Sequence, residues 1–211
     1  HRCPAAREAV RRLKVLLLSG CLCLPLAAQA GAQKYEPLSA SVQAALSKSV
    51  ADQKPPQSSF KDPIAATNWL TEMSHRLEKR IPNQESRLEL LRSVHYEATR
   101  AGLDPQLVLG LIQVESGFKK YAVSSAGARG LMQVMPFWVK LIGDPSHNLF
   151  NLRINLRYGC TILRHYLDIE RGDLYRALGR YNGSLGQPEY PNLVKGAWHG
   201  RWLYNEQVAL H

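Results

Sequence analysis

The most constraining feature of this sequence is a series of helix start and stop signals without a strand pattern between them. Asp62-Pro63 and Asp104-Pro105 each place an acidic cap before a proline at the first helical position, and Gly117 follows the second segment. Apolar residues recur at helical spacing, whereas no stretch alternates as a half-buried strand does. The sequence therefore predicts a mainly α-helical fold.

The predicted segments differ in length, and a loop rich in glycine and serine interrupts them at residues 117–130. A short helix is also predicted at 42–50, within a polar stretch over residues 31–62 that is rich in Ala, Gln, Ser, Lys and Pro and is expected to be a flexible arm. A helical domain is expected over residues 63–211. Helices are predicted over residues 63–80, 84–100, 105–116, 131–135, 136–142, 148–170, 173–180 and 190–198.

The N-terminal 30 residues have the pattern of an export signal. Arg11, Arg12 and Lys14 precede an apolar stretch that is too short to span a membrane comfortably, and Ala28-Gln29-Ala30 is typical of a signal peptidase site. A signal peptide over residues 1–30 and a periplasmic location are therefore expected. Because the chain begins with His1 rather than Met, Val10 is an alternative start.

A lipoprotein is the alternative for the same segment. Leu18-Ser19-Gly20-Cys21 resembles a bacterial lipobox, so Cys21 is a candidate for lipid attachment. Association with a membrane is expected only if Cys21 carries this lipid. The residues after Cys21 remain apolar, which favours simple secretion.

Charge and cysteine content exclude several function classes. The 27 Lys and Arg outnumber the 17 Asp and Glu, but no basic run lies outside the N-terminus, so no nucleic-acid partner is expected. Of four cysteines only Cys160 follows the leader, and it is expected to be a core residue. The spacing of cysteines and histidines predicts no metal site.

One carboxyl group lies in an unusual position. At about 100° per residue, the apolar residues of segment 105–116 span about 140° of its surface, and Glu115 falls at about 80°, within that stripe. Burying a charge is costly, so such a carboxyl group either pairs with a cation or keeps its proton, as a general acid requires. The apolar residues concerned are Leu107, Val108, Leu111 and Ile112.

Two structural explanations of Glu115 compete with a catalytic one: a salt bridge, for instance to Arg129, or a helix end that reaches water. The residues that follow favour catalysis. A loop of small and polar residues, 116–130, leads to Gly130-Leu131-Met132-Gln133, and polar groups beside close-approach glycines suit a saccharide cleft.

These motifs resemble a known family. Residues 115–118 (ESGF) and 124–136 (SSAGARGLMQVMP) resemble the signature of the soluble-type (SLT, family 1) lytic transglycosylases, although Arg129 departs from the usual loop motif. Residues 155–167, 177–183 and 190–194 are similar to the later motifs of that family, in the same order. The resemblance implies a lysozyme-like, goose-type-like helical domain with a substrate cleft.

The resemblance also implies a function and its residues. It implies a lytic transglycosylase that cleaves the bond between N-acetylmuramic acid and N-acetylglucosamine in peptidoglycan glycan strands, forms 1,6-anhydro ends, and uses Glu115 as its single acid/base without metal or cofactor. A lysozyme-type hydrolase and a non-catalytic peptidoglycan-binding protein are the alternatives. The implied substrate-binding residues are Ser116, Ser124, Met132, Gln133, Tyr181, Asn182 and Tyr190.

Overall fold

The computed structural model describes residues 32–51, 59–60 and 62–205, which form eight α-helices and one π-helical segment. In these ranges the only β-type pairings are two isolated bridges, so the mainly α-helical fold is confirmed. The signal peptide and Cys21 lie outside the described residues. The helices are α1 (Ala40–Ala51), α2 (Pro63–Leu77), α3 (Gln84–Arg100), α4 (Pro105–Ser116), α5 (Phe137–Ile142), α6 (Leu152–Ile169), α7 (Leu174–Asn182) and α8 (Glu189–Ala197), and the π-helical segment is Trp198–Trp202.

The expected capping signals determine the ends of α2 and α4. The Asp62 carboxylate accepts hydrogen bonds from two main-chain N–H groups in the first turn of α2, and Asp104 accepts one from Gln106 at the start of α4. Gly117 ends α4 with a φ of 58°, in the left-handed region that glycine adopts without a steric penalty. These boundaries are local in origin, which explains why the sequence predicts them.

Helix α4 is the central element of the fold. Every residue from Leu107 to Ile112 is buried, because α4 packs against α3, α8 and the π-helical segment. Gly110 permits the closest of these approaches, since a Cβ atom there would lie 2.9 Å from the main-chain nitrogen of Trp198. A carboxyl group in the last turn of such a helix is therefore held by packing on several sides.

Helix α6 forms the second layer and contacts α1, α3 and α7. A buried ion pair joins it to α3: the Arg157 guanidinium lies 2.7 Å from the Glu97 carboxylate, and Arg100 pairs with the same carboxylate. Cys160 on α6 is buried, as expected of a core residue. Among the described residues, no helix has both the length and the apolar character needed to cross a bilayer.

The prediction of a helix over 131–135 is wrong. These residues form a tight turn in which Arg129 and Val134 exchange main-chain hydrogen bonds, and Gln133 adopts a φ of 49°. The cause is a tertiary contact, because the Asn155 side chain on α6 accepts a hydrogen bond from Met132 N and donates one to Arg129 O. Helix α6 itself begins at Leu152, later than predicted, because Asn151 caps it.

The N-terminal segment also differs from the expected flexible arm. The predicted short helix is present as α1, but Val50 is 1% exposed and α1 packs against α5 and α6. The Gln43 side chain donates a hydrogen bond to Leu141 O at 2.7 Å. Residues 32–51 are thus part of the folded body, because Leu46 and Val50 give α1 an apolar side that covers α6.

Candidate active site

Glu115 lies in the last turn of α4 and is 4% exposed. Its carboxylate atom Oε1 accepts a hydrogen bond from the hydroxyl group of Tyr190, which is also buried and lies near the start of α8. The packing of α4 on α8 brings the two residues together although 75 positions separate them. The predicted acid and one of its predicted neighbours are thus in direct contact.

The electrostatic environment keeps Tyr190 in its neutral form. Burial, together with the nearby Glu115 carboxylate, raises the pKa of the Tyr190 phenol well above its ordinary value. The phenol therefore remains a hydrogen-bond donor to Glu115 throughout the neutral and mildly alkaline range. A carboxyl group held in this way is positioned to give or accept a proton.

Tyr181 belongs to the same cluster but has a different partner. It is fully buried, and its hydroxyl group donates a hydrogen bond to the main-chain oxygen of Met132 at 2.8 Å. Burial raises the pKa of the Tyr181 phenol well above its ordinary value, and the charge of Glu115 adds to the effect. Tyr181 therefore attaches α7 to the 131–135 turn.

The side chains of Met132 and Gln133 lie in the interior of the protein. Met132 is fully buried, and a Cβ atom on Gly159 of α6 would lie 2.3 Å from its sulfur. Gln133 is 1% exposed, and its side-chain amide donates to the carbonyl groups of Ala122 and Gly130. Both side chains therefore lie inside the protein at the 131–135 turn, and their contact with a glycan stays a prediction.

Ser116 donates hydrogen bonds to main-chain groups of the protein. Its hydroxyl group is within 2.7 Å of the carbonyl oxygen of Leu131, which connects the end of α4 to the 131–135 turn. Ser124 is half-buried, and its hydroxyl group accepts a hydrogen bond from Ala128 N, which closes the loop. Both serines thus stabilise the loop that follows Glu115.

Asn182 offers the clearest polar group for a ligand. It is half-buried at the end of α7, and its side-chain nitrogen donates to the hydroxyl group of Ser184 at 2.9 Å. Its side-chain oxygen Oδ1 is buried and accepts no hydrogen bond from any residue in the described ranges. A buried acceptor without a donor is costly, so a bound molecule with an N–H or O–H group would satisfy it.

The structure does not show the alternative that the sequence left open, a salt bridge between Glu115 and Arg129. Arg129 is exposed, and its guanidinium carbon lies 6.0 Å from the ring centre of Phe150, where it makes a cation–π contact. Glu115 instead accepts a hydrogen bond from the neutral phenol of Tyr190.

Two residues that support the site were not assigned a role from the sequence. Asn155 appeared there only as part of a helix motif, yet it is 1% exposed and holds the 131–135 turn. Gln33 comes from the segment expected to be flexible, and it also bonds to this turn. Nothing in the polar stretch around Gln33 distinguishes it, because its partners are 100 and more residues away.

Cavity size alone does not identify this site. A groove of about 550 Å³ lies between α1 and α6, lined by residues such as Leu46, Arg100 and His165, none of which was predicted to be functional. Within the described part of the chain, no three His, Cys, Asp or Glu side chains are grouped as metal ligands. The site is distinguished by its buried carboxyl group and phenol.

Comparison with protein families shows which domain this chain is similar to. The model of the transglycosylase SLT domain matches residues 92–191, from within α3 to α8. Over these residues the chain is similar to a transglycosylase SLT domain. The matched region contains Glu115, Tyr181, Asn182 and Tyr190, whereas α1 and Gln33 precede it.

Curated relatives of the chain carry transglycosylase names. The chain is 33% identical over 123 residues to the transglycosylase of Enterobacteria phage PRD1, an alignment that covers 56% of this chain and 43% of the phage protein. It is 46% identical over 84 residues to membrane-bound lytic murein transglycosylase C of Histophilus somni, covering 34% of this chain and 23% of that protein. It is 52% identical over 48 residues to the protein of the same name in Actinobacillus pleuropneumoniae, covering 23% of this chain and 13% of that one.

These similarities cover parts of the proteins compared rather than their whole lengths. The chain spans less than half the length of each of these relatives. No solved structure matches the chain.

Proposed function

We propose that this protein is a lytic transglycosylase that cleaves the β-1,4 bond between N-acetylmuramic acid and N-acetylglucosamine in peptidoglycan and leaves 1,6-anhydro ends. The observation that carries the proposal is the buried carboxyl group of Glu115, held by the Tyr190 phenol inside the region that is similar to an SLT domain. The transglycosylase names of the curated relatives support the same activity.

In the proposed reaction, Glu115 acts first as an acid and then as a base. The protonated carboxyl group donates its proton to the glycosidic oxygen, and the bond to the muramic acid C1 breaks. The N-acetyl oxygen of the substrate stabilises the cationic carbon that results. The Glu115 carboxylate then accepts the proton of the C6 hydroxyl group, whose oxygen bonds to C1 and closes the anhydro ring. The reaction consumes no water and returns Glu115 to its protonated form.

A single carboxyl group is sufficient for this sequence of steps. Glycosidases that use two carboxylates place them within about 10 Å of each other. Asp104 caps the opposite end of α4, and eleven residues of helix separate it from Glu115 by about 16 Å, too far to cooperate. The substrate supplies the internal nucleophile, so no protein nucleophile is required.

The remaining site residues have positioning and binding roles in this proposal. Tyr190 keeps the Glu115 carboxyl group in place, and Tyr181, Ser116 and Gln133 stabilise the turn beside it. Asn182 Oδ1 accepts a hydrogen bond from an N–H or O–H group of the sugar. We also propose that residues 1–30 direct export to the periplasm, with Cys21 as the alternative site of lipid attachment.

The test of this function is the chemistry of the products. Purified protein is incubated with peptidoglycan sacculi, and the masses of the released fragments are measured by mass spectrometry. Anhydro-muramic acid ends, one water lighter than reducing ends, are expected from the wild type, and none are expected from Glu115→Gln. Reducing ends would identify a lysozyme-type hydrolase, and binding without release would identify a peptidoglycan-binding protein.

A further inference from the structure

The N-terminal segment 32–36, here called the strap, contacts the site from outside the matched region 92–191. Gln33 on the strap is 3% exposed. Its side-chain nitrogen donates a hydrogen bond to Gln133 O at 3.1 Å, and its side-chain oxygen accepts one from Met135 N at 2.9 Å. One buried side chain therefore satisfies two main-chain groups of the 131–135 turn.

The strap is also attached to the end of α7. Ala32 N donates a hydrogen bond to Asn182 O at 3.4 Å. A Cβ atom on Gly183 would lie 2.1 Å from the carbonyl oxygen of Ala32, so glycine is required for this close approach. The Glu36 carboxylate pairs with Arg180 at 3.0 Å. The strap thus joins the 131–135 turn to the α7 end that carries Asn182.

The turn depends on outside contacts because its backbone is strained. Gln133 is a non-glycine residue with a φ of 49°, a conformation that persists only where surrounding groups hold it. Buried main-chain groups also need hydrogen-bond partners, and Gln33 supplies one for Gln133 O and one for Met135 N. Loss of both bonds would free the turn to shift relative to α7.

We infer that Gln33 is a positioning residue, which holds the 131–135 turn and Asn182 in the relative arrangement that binds the glycan. The inference rests on the proposed function, since it assigns Gln33 to the binding wall of that same site. The hydrogen bonds of the Gln33 side chain go to the 131–135 turn and not to Glu115 or Tyr190, so its loss should affect substrate binding more than the chemical step.

The test compares two glutamines that both attach the N-terminal segment to the body. Gln33→Met keeps the length of the side chain but removes both hydrogen bonds to the turn. Gln43→Met is the matched control, because Gln43 also donates a hydrogen bond to a main-chain carbonyl, but that carbonyl belongs to Leu141 on α5 and not to the 131–135 turn. Kinetics of fragment release are measured for both variants, and hydrogen exchange is measured at the Met135 amide.

A positioning role predicts a specific combination of results. For Gln33→Met, KM should rise about five-fold or more with kcat within about two-fold of the wild type, and the Met135 amide should exchange faster. Gln43→Met should change neither. Three results would overturn the inference. KM could stay unchanged for Gln33→Met, or it could rise equally for both variants. KM could also fall for Gln33→Met, which would mean that the strap obstructs the cleft.

A binding measurement separates this inference from the proposed function. Both substitutions are placed in the Glu115→Gln background, and binding to intact sacculi is measured without turnover. Weaker binding with Gln33→Met alone supports the role of Gln33 even if the wild type proves not to form anhydro ends. Unchanged binding overturns it even if the wild type does form them.

Discussion

The hydroxyl group of Tyr190, at the start of α8, donates a hydrogen bond to the carboxyl group of Glu115, at the end of α4. Both residues are buried, so the contact is formed where water does not compete with it. The relationship ties the geometry of the candidate acid to the packing of two helices. It also makes the phenol a direct target for testing how the carboxyl group is held.

Removing the Tyr190 hydroxyl group should impair catalysis without disrupting the fold. Tyr190→Phe keeps the buried ring and deletes the donor, so the carboxyl group loses a hydrogen bond that helps to orient it. We expect fragment release to fall about ten- to a hundred-fold, since a hydrogen bond to a charged group contributes about 1.5–3 kcal/mol. Tyr121→Phe, at a tyrosine that is 72% exposed, should retain wild-type activity. Equal rates for the two variants would contradict the role of Tyr190.

Replacing Asn182 should weaken substrate binding. Asn182→Leu removes the buried Oδ1 acceptor, and we expect KM to rise about three- to ten-fold, as for the loss of one buried hydrogen bond. Asn182→Leu also removes the hydrogen bond that the Asn182 side-chain nitrogen donates to Ser184. Ser184→Ala is the control, because it removes that hydrogen bond but leaves Asn182 Oδ1 in place. Steady-state kinetics on sacculi compare the two. If Ser184→Ala raises KM as much as Asn182→Leu, Oδ1 is not the group that binds substrate.

A methyl group on Gly159 should destabilise the domain. Its Cβ atom would lie 2.3 Å from the sulfur and 2.7 Å from the Cβ of Met132, so either α6 or the 131–135 turn must move. We expect Gly159→Ala to lower the free energy of unfolding by about 1–3 kcal/mol in urea titrations. Gly196 lies at an exposed position of α8, and an added Cβ atom there would have nothing within 4 Å. Gly196→Ala should therefore raise the free energy of unfolding by about 0.5–1 kcal/mol. If Gly159→Ala has the wild-type free energy of unfolding, the side chain of Met132 can move away from the added methyl group without destabilising the protein.

Mild acid should destabilise the protein through His95. Burial against Phe60 and Trp69 lowers the pKa of His95 from 6.5 to about 4. Between these values the unfolded chain binds a proton that the folded chain does not, so the free energy of unfolding falls as pH falls from about 6.5 to 4. Urea titrations at pH 7 and pH 5 measure this difference.

The contribution of His95 to that pH dependence can be isolated with a ring that does not titrate. His95→Phe preserves the stacking on Phe60, whose ring centre lies 3.6 Å from that of His95, and should reduce the difference in unfolding free energy between pH 7 and pH 5. His75→Gln, at an exposed histidine, should keep the wild-type difference. If both variants behave like the wild type, other groups cause the pH dependence.

Local sequence signals predicted most helices but not the parts of the site that depend on distant contacts. Asp104 and Gly117 define the ends of α4 because caps act on neighbouring main-chain groups. Residues 131–135 were predicted as a helix, and they form a turn because Asn155 on α6 bonds to their backbone. Met132 and Gln133 belong to the site region, but their side chains face the interior, which spacing along the chain does not reveal.

By itself, the sequence determined the helical class, the ends of the central helix and the presence of a carboxyl group on its apolar stripe, because capping and periodicity act within a few residues. Only the tertiary structure decided which group holds that carboxyl, since Tyr190 reaches Glu115 through the packing of α8 on α4. It also decided that Gln33 belongs to the body of the protein, because the main-chain groups it satisfies become its neighbours only after the chain has folded.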